Sequence, residues 1–252
     1  MSLIKEYRDL SILPISKGKS LVIACDSSAG IGKKEHDAVE IDPAITAAFC
    51  LRVPLMELLC YGAEPIAVID LIGNEYAPTG ERMLKGIREE LARAELSNIT
   101  LNGSTEENMF TKTTSVGITV VAETKAGKEN FQMQQACSLV QLGQRYVREQ
   151  VVKNREDHHK HRETMFSYPV VKALRSEPGV IDMLPVGSKG IRYEAELMAK
   201  DSEFQIHFSE VENLDCSAGP ATVILIAVKS EQEADITSRY SELKKIGEYK
   251  KR

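Results

Sequence analysis

The sequence predicts an α+β protein built from two lobes. Strand-like and helix-like segments alternate along most of the chain, but some predicted strands follow each other directly, unlike a doubly wound parallel sheet. The 252 residues are enough for two lobes of ordinary size. The polar segment Thr124–Asn130, which contains Gly127 and two lysines, is the predicted boundary. We therefore expect an N-terminal lobe at residues 1–125 and a C-terminal lobe at residues 126–252.

The composition limits the classes of partner and compartment. The hydrophobic fraction of 42% and the charged fraction of 27% are typical of soluble globular proteins. No apolar run approaches the roughly 20 residues that span a bilayer, and the first residues lack a signal-peptide pattern. Five cysteines without a C-x-x-C pair fit a reducing compartment, and a net charge of −5 gives no overall attraction to nucleic acid. We expect a cytoplasmic protein without nucleic-acid or membrane partners.

In the N-terminal lobe, apolar or alternating segments predict the strands. They lie at residues 21–25, 37–42, 65–72 and 115–123, with a further strand that runs from about residue 99 into a glycine turn at Gly103.

Two helices are predicted between these strands. The first covers residues 44–61, because Asp42 precedes it, Pro43 takes its first position and Gly62 ends it. The second covers residues 79–95, with Thr79 as its N-cap and a charged, solvated outer face.

The C-terminal lobe has a looser mixture of the same signals. Strands are predicted at residues 136–141, 204–208 and 221–228, and helices at residues 144–152, 169–176, 190–200 and 231–246. The histidine-containing segment 154–163 is surrounded by lysines and arginines and has no matching metal-ligand spacing, so a solvated charged loop is predicted there.

Two nucleotide-binding motifs are excluded. KGKS at Lys17–Ser20 resembles the end of a P-loop, but Leu13 stands where the first glycine is needed and the segment precedes a strand. The segment Gly30–Gly32 is followed by Glu35, where a dinucleotide fingerprint has its third glycine.

Three predicted turns combine small residues with oxygen ligands. They are residues 26–30, 102–107 and 186–190. Magnesium takes one or two carboxylates together with phosphate oxygens and water, and glycine lets the backbone approach a phosphate. The carboxylates available as magnesium ligands are Asp26, Glu57, Glu106 and Glu107. Each turn taken alone is more typical of an ordinary loop than of a binding site.

Four stretches occur in a recognisable order along the chain: LMELLCYGAEPIAVIDLI, NGSTEEN…TTSVGITVV, LPVGSKGIRYEAELMA and CSAGPATVILIAV. This series resembles the PurM-like superfamily, which contains aminoimidazole ribonucleotide synthetase, thiamine-monophosphate kinase, selenophosphate synthetase and the hydrogenase-maturation carbamoyl dehydratase. The resemblance extends from about Leu21 to Val228, and residues 62–65 and 217–221 are its most specific parts. It implies the two-lobed PurM-like α+β fold, a homodimer formed through a barrel-like interface of N-terminal strands, and a C-terminal α/β lobe on the substrate side.

Asp26 stands at the first acid of the acidic pair of this superfamily, and Ser27 replaces the second; Gly30 follows. Glu57, five residues before Gly62, stands where the superfamily usually has aspartate.

In the later turns, Gly103 and Thr105 match the Gly-Gly-Asp-Thr motif, whereas Asn102 and Ser104 replace its first glycine and its acid. Residues 187–190 match the later Asp-x-Ser-Asp-Gly turn, with Lys189 in place of an acid. Glu106 or Glu107 restores the charge lost at Ser104.

The resemblance implies ATP and Mg²⁺ as cofactors. The nucleotide-binding residues are then Asp26, Ser27, Gly30, Asn102, Gly103, Ser104, Thr105, Lys112, Gly187, Ser188 and Lys189, and the metal-binding residues are Asp26, Glu57, Glu106 and Glu107. The candidate phosphate-neutralising lysines are Lys17, Lys19, Lys33 and Lys112, and Lys112 is favoured because it follows the glycine turn. No general base is identified, since no His–acid pair stands at a suitable place.

Within the superfamily, the short second lobe and the NGSTEEN and LPVGSKGI variants look most like the α-ribazole kinase branch, which phosphorylates a nucleoside 5′-hydroxyl. An amide-activating enzyme of the aminoimidazole ribonucleotide synthetase type and an inactive nucleotide-binding regulator are the alternatives. Tyr168, Pro169, Tyr193 and Met198 offer apolar surface for an aromatic base, and filling the lobe core is the competing interpretation of them.

Overall fold

A computed structural model of the chain describes residues 4–16, 18–125, 132–145, 165–209 and 213–252. The chain divides into two compact units. Unit 1 comprises Met1–Leu58 and Ala63–Gly127, and unit 2 comprises Leu59–Gly62 and Lys128–Arg252. Both units combine helices with a mainly antiparallel sheet, which confirms the predicted α+β class. The predicted lobe boundary between residues 125 and 126 stays a prediction.

Unit 1 is built on a six-stranded sheet in the order β1-β2-β3-β8-β6-β7. Its strands are β1 Lys5–Tyr7, β2 Leu10–Ser16, β3 Lys19–Ala29, β6 Glu64–Ile72, β7 Thr100–Thr105 and β8 Ser115–Lys125, and a separate short ribbon pairs β4 Ile31–Gly32 with β5 Val39–Glu40. The helices are α1 Pro43–Tyr61, of which residues 43–58 belong to unit 1, a π-helical turn at Tyr76–Gly80 and α2 Glu81–Arg93. Only β6 and β7 pair in parallel within the large sheet.

Unit 2 contains a five-stranded antiparallel sheet in the order β10-β12-β9-β13-β11. Its elements are β9 Cys137–Gly143, α3 Tyr168–Ser176, β10 Val180–Pro185, α4 Gly190–Met198, β11 Phe204–Phe208, β12 Val223–Lys229, a 3₁₀ turn at Ser230–Gln232, α5 Glu233–Arg239 and β13 Leu243–Lys251. Its core lies between the central strands and α4, where Leu225, Ile191 and Tyr249 are buried.

The large sheet of unit 1 has two different faces. Along β3 and β8 the even-numbered residues are the more buried ones, as period-2 alternation requires. We call this buried side the inner face; it carries Val22, Val68 and Val120. We call the opposite side the outer face; it carries the exposed apolar residues Ile69 and Leu71.

Helix α1 forms as the local sequence predicts. The Asp42 carboxylate accepts the Ala44 N–H at 3.0 Å, Pro43 opens the helix, and Gly62 follows its end with a positive φ of 83°. Arg82 hydrogen-bonds the same carboxylate and holds the pKa of Asp42 below its usual range. By length and composition α1 could cross a membrane, but 72% of its apolar window is buried inside the structure, as in a core helix.

Three local predictions in unit 1 are wrong. The strand predicted at residues 21–25 is longer and includes Asp26, which therefore lies inside β3 and not in a turn after it. Gly103 likewise lies inside β7. Thr79 does not cap α2, because its hydroxyl donates to the Glu75 carboxylate at 2.5 Å and α2 begins two residues later.

Unit 2 brings one larger correction. The helix predicted at residues 231–246 is only the short α5, and the chain then forms β13 on the sheet. The strands β1, β2, β4 and β10 were not predicted, and the strand predicted at residues 37–42 is reduced to β5. Two predicted elements lie wholly or largely outside the described residues: the helix at residues 144–152, from residue 146 onward, and the loop at residues 154–163. The same holds for residues 126–130 of the predicted boundary segment Thr124–Asn130.

Candidate nucleotide and metal site

The centre of the unit 1 sheet carries two carboxylates in one row across four strands. Asp26 in β3 is the register partner of Ile118 in β8, Ile118 is the partner of Asp70 in β6, and Asp70 is the partner of Gly103 in β7. Because register partners point to the same face and neighbouring strands lie about 4.8 Å apart, the Cα atoms of Asp26 and Asp70 are roughly 10 Å apart. Both side chains therefore belong to the inner face.

Both carboxyls of this row are shielded from solvent. Burial raises the pKa of the Asp26 carboxyl and the pKa of the Asp70 carboxyl above their usual ranges. Burial, together with the charge of Asp26, raises the pKa of the Cys50 thiol to about 12, which places α1 beside Asp26. A bound cation would favour the ionised form of these acids.

Gly103 is required by its neighbour in the row. A Cβ atom at Gly103 would collide with the backbone oxygen and the carboxylate of Asp70. Asp70, only 3% exposed, was missed by the sequence analysis. The sequence does contain a signal for the burial of Asp70. In PIAVIDLI, Asp70 lies two residues from each of the buried residues Val68 and Ile72, so it points to the same face of the strand.

The predicted phosphate-binding residues are divided between the two faces of the sheet. Ser27, Gly117, Leu71 and Ser104 form the adjacent row and therefore point to the outer face. Asp26 and Gly103 belong to the inner face. The structure thus brings Asp26 and Gly103 into one row and Ser27 and Ser104 into another.

The segment after β7 is held by a single buried side chain. Asn74, fully buried, donates from Nδ2 to the Thr111 hydroxyl at 2.7 Å and to the Thr113 carbonyl at 2.8 Å. Its Oδ1 accepts the Ser115 N–H at 2.9 Å, and its backbone carbonyl accepts the Glu106 N–H at 3.0 Å. Asn74 thus fixes both ends of this segment, which we call the 106–114 loop. No motif identified Asn74 from sequence.

The two acids at the start of the 106–114 loop accept hydrogen bonds from protein groups. Glu106 Oε1 accepts the N–H groups of Asn108 and Met109 at 2.8 and 3.2 Å. Glu107 Oε1 accepts the Tyr76 N–H and the Thr105 hydroxyl, both at 2.8 Å. Each acid therefore shapes the loop through one oxygen, and its role as a metal ligand stays a prediction.

A second set of bonds ties the loop to the segment that precedes α1. Asp37 accepts the N–H and the hydroxyl of Thr114 at 2.7 and 2.6 Å, and the Thr114 carbonyl accepts the Gly30 N–H at 2.8 Å. Lys112 is 63% exposed and pairs with Glu35 at 3.5 Å. Gly30 and Lys112 therefore lie on neighbouring segments of one surface region.

Lys34 adds a further positive charge near this region. Its ammonium lies 2.5 Å from Glu75 Oε2. Although burial opposes ionisation, the hydrogen bonds from Lys34 and Thr79 hold the pKa of the Glu75 carboxyl below its usual range.

The donor set suits a magnesium–phosphate complex better than a metal held by protein alone. Across the described ranges, 4–16, 18–125, 132–145, 165–209 and 213–252, no three His, Cys, Asp or Glu side chains form a group that could hold a metal ion. Glu57 lies half-buried in the last turns of α1. Since Mg²⁺ is commonly held by one or two carboxylates plus substrate phosphates and water, scattered single carboxylates fit that mode.

The predicted turn in unit 2 precedes α4. Gly190 has a positive φ of 86°, and the Gly187 carbonyl accepts the Ala218 N–H at 3.2 Å. The Lys189 ammonium lies 4.1 Å from the centre of the Tyr193 ring. The assignment of Gly187, Ser188 and Lys189 to the nucleotide stays a prediction.

Two of the four apolar residues proposed for an aromatic base are core residues, and Pro169 and Tyr193 are exposed. Tyr168 and Met198 are buried, and Tyr193 is the exposed aromatic residue of the set. The competing interpretation of the sequence is therefore correct for Tyr168 and Met198.

Comparison with solved structures identifies the fold. Thiamine-monophosphate kinase from Aquifex aeolicus superposes with a TM-score of 0.68 at 14% identity, covering 98% of this chain and 90% of that chain. The enzyme from Stenotrophomonas maltophilia K279a gives 0.67 at 14% identity, with coverages of 99% and 89%. The hydrogenase maturation protein HypE of E. coli gives 0.67 at 16% identity, with coverages of 94% and 81%.

A larger protein shares the fold over part of its length. Phosphoribosylformylglycinamidine synthase II from Thermotoga maritima has a TM-score of 0.58 at 12% identity, and the match covers 96% of this chain but 37% of that chain. The comparison with curated proteins gave no match. Residues 7–124 match the family described as AIR synthase related protein, N-terminal domain. The chain thus has the PurM-like fold, and its residues 7–124 are similar to the AIR synthase related N-terminal domain.

Proposed function

We propose that this protein is an ATP- and Mg²⁺-dependent small-molecule kinase. Its proposed acceptor is the 5′-hydroxyl of α-ribazole, in salvage of the lower ligand of cobamides, and it acts as a cytoplasmic homodimer. The observation that carries the kinase assignment is the likeness of nearly the whole chain to thiamine-monophosphate kinases. A further neighbour of this group, AaThiL, was solved with AMPPCP and TMP, at a TM-score of 0.64 and 14% identity.

Phosphoryl transfer depends on positioning and charge stabilisation more than on a strong base. A phosphoryl group passes through a loose transition state, so the protein mainly aligns donor and acceptor and neutralises charge. Mg²⁺, when bound, supplies part of that neutralisation. Asp26, with Glu57 and Glu106, is proposed to orient the metal–phosphate complex. Lys112 and the backbone of Gly103–Thr105 are proposed to bind phosphate oxygens.

The homodimer is supported by the outer face of the unit 1 sheet. Ile69 and Leu71 are exposed on this face, and Ile15 and Ile66 of the same sheet are exposed at register irregularities. An exposed apolar patch of this kind marks an interaction surface. A second copy that packs its own outer face against it would bury both patches symmetrically.

Two other functions have specific observations in their favour. The fold neighbour phosphoribosylformylglycinamidine synthase II favours an enzyme that activates an amide oxygen with ATP. Ser27 and Ser104, in place of the acids of the superfamily motifs, favour a regulator that binds nucleotide without turnover.

The acceptor test separates these alternatives. The protein is incubated with ATP and Mg²⁺ and, separately, α-ribazole, thiamine monophosphate and formylglycinamidine ribonucleotide. The kinase proposal expects ADP and a new phosphomonoester with α-ribazole alone. Release of ADP and free phosphate with formylglycinamidine ribonucleotide would identify the amide-activating function. Nucleotide binding without turnover with any acceptor would identify the regulator.

A further inference from the structure

The middle of the 106–114 loop forms an exposed apolar tip, which consists of Met109 and Phe110. Phe110 has a relative exposure of 106% and Met109 of 70%. These are the two largest exposures among the large hydrophobic side chains in the described part of the chain. Exposure of an entire phenylalanine to water is unfavourable, so a ligand that covers the tip would gain free energy.

The tip stands on a fixed base. On the N-terminal side, the Glu106 carboxylate accepts the Met109 N–H at 3.2 Å. On the C-terminal side, Asn74 binds the Thr111 hydroxyl at 2.7 Å and the Thr113 carbonyl at 2.8 Å. The backbone on both sides of Phe110 is therefore held by hydrogen bonds, so the ring is presented outward at little ordering cost.

The small area of the tip limits the kind of ligand that can cover it. A stable protein interface buries roughly 800 Å² on each partner, which two side chains cannot supply. A flat aromatic ring matches them, because Phe stacks with aromatic rings and the Met sulfur makes favourable contacts with them.

The position of the tip fits an acceptor. Its loop follows Thr105, the last residue of the strand that carries Gly103, and Lys112 follows Phe110 by two residues. A ligand whose reacting hydroxyl lies near the proposed phosphate residues can thus extend its aromatic end toward Phe110. In unit 2, Tyr168 and Met198 are buried and do not offer this surface, whereas Tyr193 is exposed.

We propose that Met109 and Phe110 form a stacking platform for the aromatic ring of the small-molecule acceptor. This inference rests on the proposed kinase function and names the part of the site that binds the base of the acceptor.

The test compares three substitutions at one position. Phe110→Ala removes the ring, Phe110→Leu keeps apolar volume without a flat ring, and Phe110→Tyr keeps the ring. With α-ribazole as acceptor, Phe110→Ala and Phe110→Leu are expected to raise the acceptor KM about tenfold, with the KM for ATP unchanged. Phe110→Tyr is expected to stay within about twofold of the wild type. A wild-type acceptor KM in Phe110→Ala would overturn the platform.

Two other occupants give different results. If the tip stacks on the adenine of ATP, the KM for ATP rises in Phe110→Ala and the acceptor KM does not. If a second copy of the chain covers the tip, Phe110→Ala sediments as a smaller species. Either result would overturn the proposal.

Failure of the kinase function is seen separately. If the wild type turns over none of the acceptors, the kinase proposal fails, and α-ribazole binding is then measured by calorimetry. Weaker binding by Phe110→Ala than by Phe110→Tyr would support the platform. Equal binding, or no binding by the wild type, would overturn it.

Discussion

At the scale of single residues, Asp26 is the predicted metal ligand whose substitution should reduce activity while the protein still folds. Its carboxyl lies inside β3, and burial raises its pKa. Asp26→Asn keeps the shape and removes a charge that burial disfavours. We expect the variant to fold and to lose magnesium-dependent turnover by at least about 100-fold, since phosphate alignment depends on the charge. Glu57→Gln is expected to behave in the same way. Unchanged activity in Asp26→Asn, with an unchanged circular dichroism spectrum, would contradict the assignment.

The raised pKa of Asp70 predicts how the stability of the folded protein depends on pH. Its pKa is raised above 3.8 by burial, so between the unfolded and folded pKa values the folded protein binds more protons than the unfolded protein. The contribution of Asp70 to stability therefore falls as the pH rises through that range. Asp70→Asn removes this effect. We expect the variant to melt at a higher temperature than the wild type at pH 7, and the difference to shrink as the pH approaches about 4.

A matched control for Asp70→Asn is the exposed acid between β1 and β2. Asp9→Asn removes the same charge without relieving burial. We expect its melting temperature to follow the wild type at each pH. A difference for Asp70→Asn that grows at low pH, or an equal gain in Asp9→Asn, would contradict the account.

At the scale of elements, the close pairing of β6 and β7 leaves no room for a side chain at Gly103. Gly103→Ala places a Cβ against the backbone oxygen of Asp70. We expect a loss of about 1–3 kcal/mol in the free energy of unfolding, measured by urea denaturation. Gly117→Ala in the adjacent β8 is the control, because its Cβ would meet only Leu71 Cβ at 3.9 Å. Equal stabilities of the two variants would show that β6 and β7 are not packed in this way.

Elements whose ends are marked by local capping and terminating residues could be predicted from the sequence. Asp42, Pro43 and Gly62 define both ends of α1, and the predicted helix is confirmed to within one residue. The end of β3 depends on distant pairing instead. Residues 26–29 are small and polar enough to indicate a turn, but they pair with β8 as far as Ala29 opposite Ser115.

The wrong helix near the C-terminus has a specific physical cause. In β13 the buried large apolar side chains, Leu243, Ile246 and Tyr249, are three residues apart, which is helical spacing. The spacing arises because a register irregularity between Lys245 and Gly247 interrupts the period of two. A bulge of this kind depends on the partner strand and is not visible in local periodicity.

The candidate site was predictable only in part for the same reason. Asp26 and Gly103 were found by motif, and pairing of four strands brings them into one row. Asp70 and Asn74 belong to no motif. Asn74 gains its importance from partners 37 to 41 residues away, which sequence spacing does not reveal.

At the scale of the whole molecule, the outer face of unit 1 predicts the oligomeric state. Leu71 is 58% exposed in a strand that also exposes Ile69. We expect the wild type to sediment as a dimer at micromolar concentration, and Leu71→Lys to shift it to a monomer, because a charge on the patch opposes its burial. Tyr193→Lys, which changes an exposed aromatic residue of unit 2, is the control and should remain dimeric. A monomeric wild type would contradict the dimer.

The most direct measurement of the central claim follows the terminal phosphate of ATP. The protein is incubated with γ-labelled ATP, Mg²⁺ and α-ribazole, and the products are separated and counted. Phosphoryl transfer predicts that the label appears in a stable phosphomonoester of α-ribazole, in proportion to ADP, and that Asp26→Asn forms almost none. Label found only as free phosphate, or retained in ATP while ATP binds, would contradict the kinase assignment.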